Sequence, residues 1–185
     1  MEYCIIFLVF RFHHYQMVFL SQEKYANDLL LQTDMLHAKS HPTPMISSLR
    51  LTKDGSTAVP DPTVYRSTVG AVQYLTITRP ELAFSMNKVC QFMHAPQEHH
   101  WKAVKRILRY VAGTIAHGLH LHPNSTSSIM GFSDADWETD LDDRRSTTGY
   151  CVYLGKNLIS LGALQKMSIE VLLLFSPSCY GFNPF

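Results

Sequence analysis

The chain has 185 residues, of which 46% are hydrophobic and 17% charged, the composition of a globular protein with enough apolar material for a core. Its formal net charge of +1 at pH 7 neither favours nor excludes a polyanionic partner. The charges are unevenly distributed: residues 1–127 carry 12 Lys/Arg and 8 Asp/Glu, whereas residues 128–185 carry 4 and 7. A basic part therefore precedes an acidic part, which indicates two modules.

The four cysteines are widely separated, at Cys4, Cys90, Cys151 and Cys179, without any CxxC pair. This spacing excludes the usual zinc framework and gives no indication of a disulfide scaffold. We therefore expect reduced core cysteines and an intracellular protein.

The first 20 residues, MEYCIIFLVFRFHHYQMVFL, are apolar but interrupted by Arg11, His13 and His14. They lack the basic start and the small-residue cleavage site of a signal peptide, and a membrane span needs about 20 uninterrupted apolar residues. We therefore expect no membrane partner. Two short strands, about residues 3–10 and 16–20, fit the pattern better, so residues 1–21 are predicted to form a β-hairpin.

A helix and a linker are predicted next. Ser21 can cap a helix over residues 22–36. The apolar side of this helix carries Tyr25, Leu29 and Leu36. Residues 37–61 are rich in Pro, Ser and Thr and have almost no periodicity, which predicts an extended linker that crosses a surface.

Three helices with proline-marked joints follow the linker. Asp61 is a suitable N-cap, and Pro62 a suitable first residue, for a helix that runs to residue 77. Its predicted core side consists of Val64, Val69, Val72 and Leu75. Pro80 begins a second helix over 81–94, and Pro96 opens a third over 97–113, which Gly113 closes. Residues 22–122 are thus predicted to form one compact helical region.

The chain changes character after a polar linker at residues 123–128. Three strands are predicted, over residues 128–134, 147–154 and 158–161, and Gly155-Lys156-Asn157 is a hairpin turn signal between the last two. They are expected to form an antiparallel three-stranded meander, which makes the fold class α+β. Residues 162–175 are compatible with a helix, and the last ten residues show no evident element.

The third helix carries the strongest candidate binding feature. Its polar side presents Lys102, Lys105, Arg106 and Arg109, and its opposite side presents Trp101, Val104, Ile107, Leu108 and Val111. A row of cations on a helix face is suited to contact a phosphate backbone. The alternative is a solvated polar face, which every amphipathic helix needs.

The histidines raise the question of a metal site, either at His117, His120 and His122 or at the adjacent pair His99 and His100. No carboxylate or cysteine lies at a complementary spacing, and adjacent helical side chains point about 100° apart, which is poor for chelation. Surface or turn histidines are therefore the favoured interpretation.

Asp134 and Asp136 stand at the end of a predicted strand and point to the same face if the strand forms. With Glu138, Asp140, Asp142 and Asp143 they supply oxygen ligands suited to a hard cation. The alternative is a solvated acidic loop that Arg144 and Arg145 partly neutralise.

Long motifs in the right order resemble one family. The stretch YRSTVGAVQYLTITRPELAFSMNKVCQFMHAPQEHHWKAVKRILRYVAGT is similar to the segment after the polymerase palm in Pol polyproteins of copia-type LTR retrotransposons. GFSDADWETDLDDRRSTTGYCVYLGKNLIS resembles the first strands of the RNase H domain of the same polyprotein, and FLSQEKYANDLL and PTPM fit it as well. The resemblance runs from about residue 18 to residue 160.

The resemblance implies a reverse transcriptase joined to an RNase H that uses Mg²⁺. Residues 22–122 would be the helical connection region, residues 128–161 a partial RNase H-like domain, and residues 162–185 a divergent tail. Asp134 matches the first catalytic carboxylate of the RNase H, and Asp136 matches a motif position. The implied partners are RNA, DNA or their hybrid, and an intact Pol polyprotein.

The remaining catalytic residues of the family do not appear in this sequence. A Tyr-x-Asp-Asp-like polymerase turn is absent, and LISLGALQKMSIEVLLLF replaces the family's Trp-Ser-Ser-Lys-Lys-Gln-like turn and its acidic helix. A frameshift, a splice or a truncation would explain the change. Because Asp134 alone cannot hold two metal ions, we expect weak Mg²⁺ affinity and no independent catalysis. There are two alternatives: a non-catalytic nucleic-acid-binding module that uses helix 97–113, and a poorly folded product without function.

Overall fold

The computed structural model describes residues 17–46, 49–53, 55–123, 128–136 and 147–164. Along these residues lie β1 (Val18–Leu20), α1 (Glu23–Gln32), α2 (Pro62–Leu75), α3 (Ala83–Cys90), α4 (Glu98–Gly113), β2 (Leu119–Leu121), β3 (Ile129–Asp136), β4 (Thr147–Leu154) and β5 (Asn157–Leu164). A short 3₁₀ turn, Pro80–Leu82, precedes α3. The predicted α+β class is confirmed. No helix among these residues is long and apolar enough to cross a membrane.

A two-stranded antiparallel sheet joins the two ends of the helical region. β1 pairs with β2, with Phe19 opposite His120. The predicted strand at 16–20 is therefore present in part, whereas its predicted hairpin partner at 3–10 lies outside the described residues. Gly118 lies so close to the Leu20 carbonyl and the Phe19 ring that a side chain could not fit between them.

The first helix is shorter than predicted. The Ser21 hydroxyl accepts a hydrogen bond from the Glu23 amide at 3.2 Å, but Gln22 is the N-cap. The helix ends at Gln32, and Asp34 adopts a positive φ of 55°. The prediction of a helix to residue 36 is therefore wrong, because this left-handed residue turns the chain.

The second helix begins as predicted but faces the core differently. The Asp61 carboxylate accepts a hydrogen bond from the Thr63 amide at 2.7 Å, and this backbone contact is the main reason why the pKa of Asp61 is lowered. Val64, predicted to face the core, is 47% exposed. The predicted core positions Val69, Val72 and Leu75 are confirmed, and Tyr65 and Thr68 are buried beside them.

The other two helices complete one core. α3 ends at Cys90, four residues before the predicted end. α4 covers Glu98–Gly113, within one residue of the prediction, and Gln97 is its N-cap. The core cluster draws on all four helices and includes Leu30, Val72, Val89, Ile107, Leu108 and Val111. Such continuous apolar burial is the main stabilising term for this helical region.

The strands β3, β4 and β5 form the predicted antiparallel meander. Phe132 faces Cys151 across the first pair, and Cys151 faces Leu161 across the second. Gly155, at φ 58°, makes the tight turn between β4 and β5. Because β5 runs to Leu164, the prediction of a helix from residue 162 is wrong for its first three residues, and its remainder lies outside the described residues.

One buried amide connects the meander to the helical region. The Asn157 side chain, 5% exposed, accepts from the His122 amide at 2.7 Å and donates to the His122 carbonyl at 2.8 Å. β5 also contacts α3 and the 3₁₀ turn before it. The meander still exposes apolar side chains, among them Ile129, Phe132 and Ile159 at 69%, 57% and 50%.

Candidate functional site

Helix α4 is held rigidly along its apolar side. Val104, Ile107, Leu108 and Val111 are at most 1% exposed, and Trp101 is half-buried with its ring 6.1 Å from that of Tyr65. These contacts confirm the predicted core side of the helix. The four predicted phosphate-binding cations therefore lie on the outer side of a fixed helix.

Two of these cations point freely outward. Lys102 and Lys105 are both exposed. The Lys105 ammonium lies 5.6 Å from the centre of the Trp101 ring, a cation–π arrangement. Among the described residues, neither lysine takes part in an ion pair or a side-chain hydrogen bond, so both remain available to an anionic partner.

The other two cations hold the linker onto the helix. We call residues 37–61 the connector. Arg106 reaches the His41 Nε2 with one terminal nitrogen at 2.8 Å and donates to the Thr43 hydroxyl with the other at 2.7 Å. Arg109 donates from Nε to the Lys39 carbonyl at 2.6 Å, while its own carbonyl accepts from the His41 amide at 3.3 Å. Arg106 and Arg109 are consequently half-buried.

The contact with Arg106 defines the protonation state of His41. A guanidinium only donates hydrogen bonds, so Nε2 must accept, and His41 must be neutral with its proton on Nδ1. Partial burial, together with the positive charges of Arg106 and Arg109, lowers the pKa of His41 from its ordinary value. This histidine was not among the candidates from sequence.

A second set of contacts fixes the far end of the connector. The Thr52 carbonyl lies 3.1 Å from Nε2 of His99 and 3.0 Å from Nε2 of His100. The Ser56 hydroxyl lies 2.7 Å from Nδ1 of His99, and Nδ1 of His100 accepts from the Gln97 amide at 3.0 Å. The Nε2 atoms of both rings thus lie at hydrogen-bonding distance from one carbonyl, and His100, whose Nδ1 accepts from Gln97, donates to it from Nε2.

This arrangement corrects the interpretation of His100 as a surface or turn residue, whereas His99 is half-buried. His100 is 0% exposed and stacks on Phe92 with ring centres 3.9 Å apart. Within the described ranges, no group of three or more His, Cys, Asp or Glu side chains is close enough together to hold a metal ion. The pair serves to anchor the connector, a role that no local sequence signal reveals.

Asp134 lies in β3 beside an open groove of about 340 Å³ between the meander and the turn before α3. It is exposed, and Glu81 lines the same groove. Glu81 is already paired with the buried Arg79 at 2.5 Å. Asp136 occupies the last position of β3, opposite Thr147. The acidic residues that follow it, Glu138, Asp140, Asp142 and Asp143, lie outside the described residues.

The described residues alone do not make a Mg²⁺ site of the two-metal kind, which needs several converging carboxylates. Asp134 has one acidic neighbour along the groove, and that neighbour is neutralised by Arg79. The expectation of weak Mg²⁺ affinity stays a prediction.

Sequence similarity to known proteins identifies the class: the chain belongs to the retrovirus-related Pol polyproteins of copia-type transposons. It is 49% identical over 150 residues to the Pol polyprotein from transposon RE2 of Arabidopsis thaliana, a match that covers 81% of this chain and 10% of the relative. The Pol polyprotein from transposon RE1 of the same plant is 47% identical over the same share of each chain.

A shorter relative is an uncharacterized mitochondrial protein of Arabidopsis thaliana, 47% identical over 83% of this chain and 63% of its own length. This chain thus spans about a tenth of the length of the two Pol polyproteins. No family model matches it, and no solved structure matches it either.

Proposed function

We propose that this chain is the segment of a Pol polyprotein that links the polymerase part to the start of an RNase H-like domain, and that it binds nucleic acid without catalysing a reaction. The observation that carries this proposal is the pair of exposed cations, Lys102 and Lys105, on the outer side of α4. The similarity to Pol polyproteins supports the choice of nucleic acid as the partner.

The physical basis is the rigidity of α4. A helix of 16 residues is about 24 Å long, and burial of its apolar side fixes the direction of its outer side. Lys102 and Lys105 are three residues apart and lie next to each other on the surface. Because the helix that carries them is already fixed, only the two lysine side chains have to be ordered when they displace counterions from a phosphate backbone.

The proposed ligand is an RNA–DNA hybrid or another duplex, and its base sequence should not affect binding, because phosphate contacts carry no sequence information. Such binding is salt-dependent, and the logarithm of the binding constant changes by about 0.9 for each phosphate contact per tenfold change in salt. The family activities, RNA-directed DNA synthesis and cleavage of hybrid RNA, belong in this proposal to the complete polyprotein, with which the chain also associates in trans.

The binding part is tested with the full chain and a labelled RNA–DNA hybrid at several salt concentrations. Lys102→Glu with Lys105→Glu should weaken binding at least tenfold and reduce the salt slope by about 1.8, two contacts' worth. The matched control is Lys24→Glu with Lys156→Glu, which changes the total charge equally at exposed positions outside α4. Equal weakening by both double variants would contradict a specific role of α4.

The catalytic part is tested by incubating the hybrid with the full chain and Mg²⁺. We expect no cleavage of the RNA strand, because the described residues do not bring to Asp134 the several converging carboxylates that two metal ions need. Asp134→Asn should behave like the unchanged chain. Cleavage that Asp134→Asn abolishes would show that the site is complete.

A further inference from the structure

The contact between the connector and α4 occupies one of the predicted phosphate-binding cations. We call His41, Thr43 and Arg106 the clasp. Both terminal nitrogens of Arg106 are engaged in it, at 2.8 Å from His41 and 2.7 Å from Thr43. A phosphate group that approached both terminal nitrogens would therefore compete with His41 and Thr43 for the guanidinium.

The clasp leaves two polar atoms unsatisfied. His41 Nδ1 and Arg106 Nε are buried and have no hydrogen-bond partner among the described residues. Both carry hydrogens, since His41 accepts through Nε2 and a guanidinium always donates. A buried donor without an acceptor is unfavourable relative to a hydrated one, so the free energy that keeps the clasp closed is reduced by these two atoms.

Protonation of His41 removes the main contact. The imidazolium has a hydrogen on both ring nitrogens, so Nε2 can no longer accept from Arg106. Among the residues that the structure describes, the charged groups that act on His41 are Arg106 and Arg109, both from α4 and both positive. Three cations would then meet in one place, and a closed clasp would be electrostatically unfavourable.

We infer that His41 and Thr43 compete with phosphate groups for Arg106, and that protonation of His41 opens the clasp and strengthens nucleic-acid binding at mildly acidic pH. This inference rests on the proposed function: it states that the connector regulates nucleic-acid binding by the outer face of α4. A phosphate group is the stronger acceptor, because a charge-assisted contact with a guanidinium is stronger than one with a neutral ring or hydroxyl.

The coupling between protonation of His41 and binding of nucleic acid must also act in the reverse direction. If an open clasp binds phosphate better and a protonated His41 favours the open clasp, then bound nucleic acid must raise the pKa of His41. Two independent measurements follow from this reciprocity: the affinity for nucleic acid at two pH values, and the pKa of His41 with and without nucleic acid.

The first measurement compares the full chain with His41→Gln, whose amide oxygen can still accept from Arg106 but does not titrate. Affinity for the labelled hybrid is measured against salt at pH 7.5 and pH 5.5. The unchanged chain should gain affinity on acidification severalfold more than His41→Gln, and its salt slope should steepen by about 0.9, one additional phosphate contact. His94→Gln, at an exposed histidine outside the clasp, is the matched control and should respond like the unchanged chain.

The second measurement follows the His41 ring in the unchanged chain by NMR, with and without hybrid. Its pKa should lie below the ordinary value in the free chain and rise on binding. If the chain binds no hybrid at either pH, the proposed function fails. If it binds hybrid but the His41 pKa does not move, or His41→Gln has the same pH response, the clasp is not a regulator and the proposed function still stands.

Discussion

Gly113, the last residue of α4, lies directly against Ser40 of the connector. A methyl group on Gly113 would approach the Ser40 Cβ to 2.7 Å, closer than such atoms pack in proteins. The absence of a side chain at Gly113 therefore lets the connector lie flat on the end of α4, next to the hydrogen bond between Arg109 and the Lys39 carbonyl at 2.6 Å.

Gly113→Ala should push the connector away from the helix and lower the free energy of unfolding by about 1–3 kcal/mol, the usual cost of overpacking. Chemical denaturation of the full chain measures this. Adding Ser40→Gly should recover most of the loss, because it removes the atom that the new methyl group meets. Gly70→Ala is the control: nothing lies within 4 Å of the added carbon, so a gain of about 0.5–1 kcal/mol is expected from helix propensity alone. If Ser40→Gly does not rescue Gly113→Ala, the close contact is not the cause.

Local signals predicted much of the helical region. Asp61 and Pro62 marked the start of α2, and Gly113 marked the end of α4, because capping depends on residues a few positions away. The predicted core side of α2 was wrong at Val64 and did not include Tyr65, because it was assigned from aliphatic residues alone. Tyr65 is fully buried because its hydroxyl has a partner on another helix, which no local pattern contains.

The helix residues of the candidate site could be predicted from the sequence, but their contacts with the connector could not. The sequence predicts the row of cations on α4 because helical periodicity brings them together. It does not predict that Arg106 contacts His41, because these residues are 65 positions apart and the connector has no periodicity. An irregular segment of this kind can be identified as extended from its composition, but its path depends on the tertiary structure.

Tyr65 donates a hydrogen bond to the Val89 carbonyl at 2.8 Å from a fully buried position. Tyr65→Phe should therefore cost about 0.5–1.5 kcal/mol near pH 7. Burial, with a smaller contribution from Cys90, raises the pKa of this phenol. Because the folded pKa is raised, the stability from the neutral phenol is fully present below pH 10, the ordinary value, and is lost as the pH rises above it.

The unfolding free energies of the unchanged chain and Tyr65→Phe should thus converge between pH 10 and pH 11, as measured by denaturant titration at each pH. Groups that both chains share cancel in the comparison. A difference that stays constant over this range would mean that the phenol ionises as readily in the folded chain as in the unfolded one.

Asn157 should be sensitive to the loss of its amide group. Its side chain donates to one backbone atom of His122 and accepts from another. Asn157→Asp keeps the acceptor but places a carboxylate oxygen against the His122 carbonyl in a buried position, which should cost about 1–3 kcal/mol or more. Lys156→Gln, at the neighbouring exposed position, should change stability by less than about 0.5 kcal/mol. Because the repulsion from the His122 carbonyl should displace the aspartate side chain from the His122 backbone, hydrogen exchange of the His122 amide should increase in Asn157→Asp and not in Lys156→Gln. Equal exchange in both variants would exclude a connecting role for Asn157.

The clasp should also make stability pH-dependent, independently of any ligand. The pKa of His41 is lowered in the folded chain by partial burial and by Arg106 and Arg109. The unfolded chain therefore binds the proton more readily, so stability from neutral His41 is fully present above about pH 6.5 and decreases as the pH falls below that value.

His41→Gln removes this contribution while retaining an acceptor for Arg106. Relative to His41→Gln, the unfolding free energy of the unchanged chain should be constant from pH 8 to pH 7 and should decline from pH 6.5 to pH 5. Denaturant titrations at each pH measure the difference, and a decline of the same size in both chains would assign the acid sensitivity to other histidines or carboxylates.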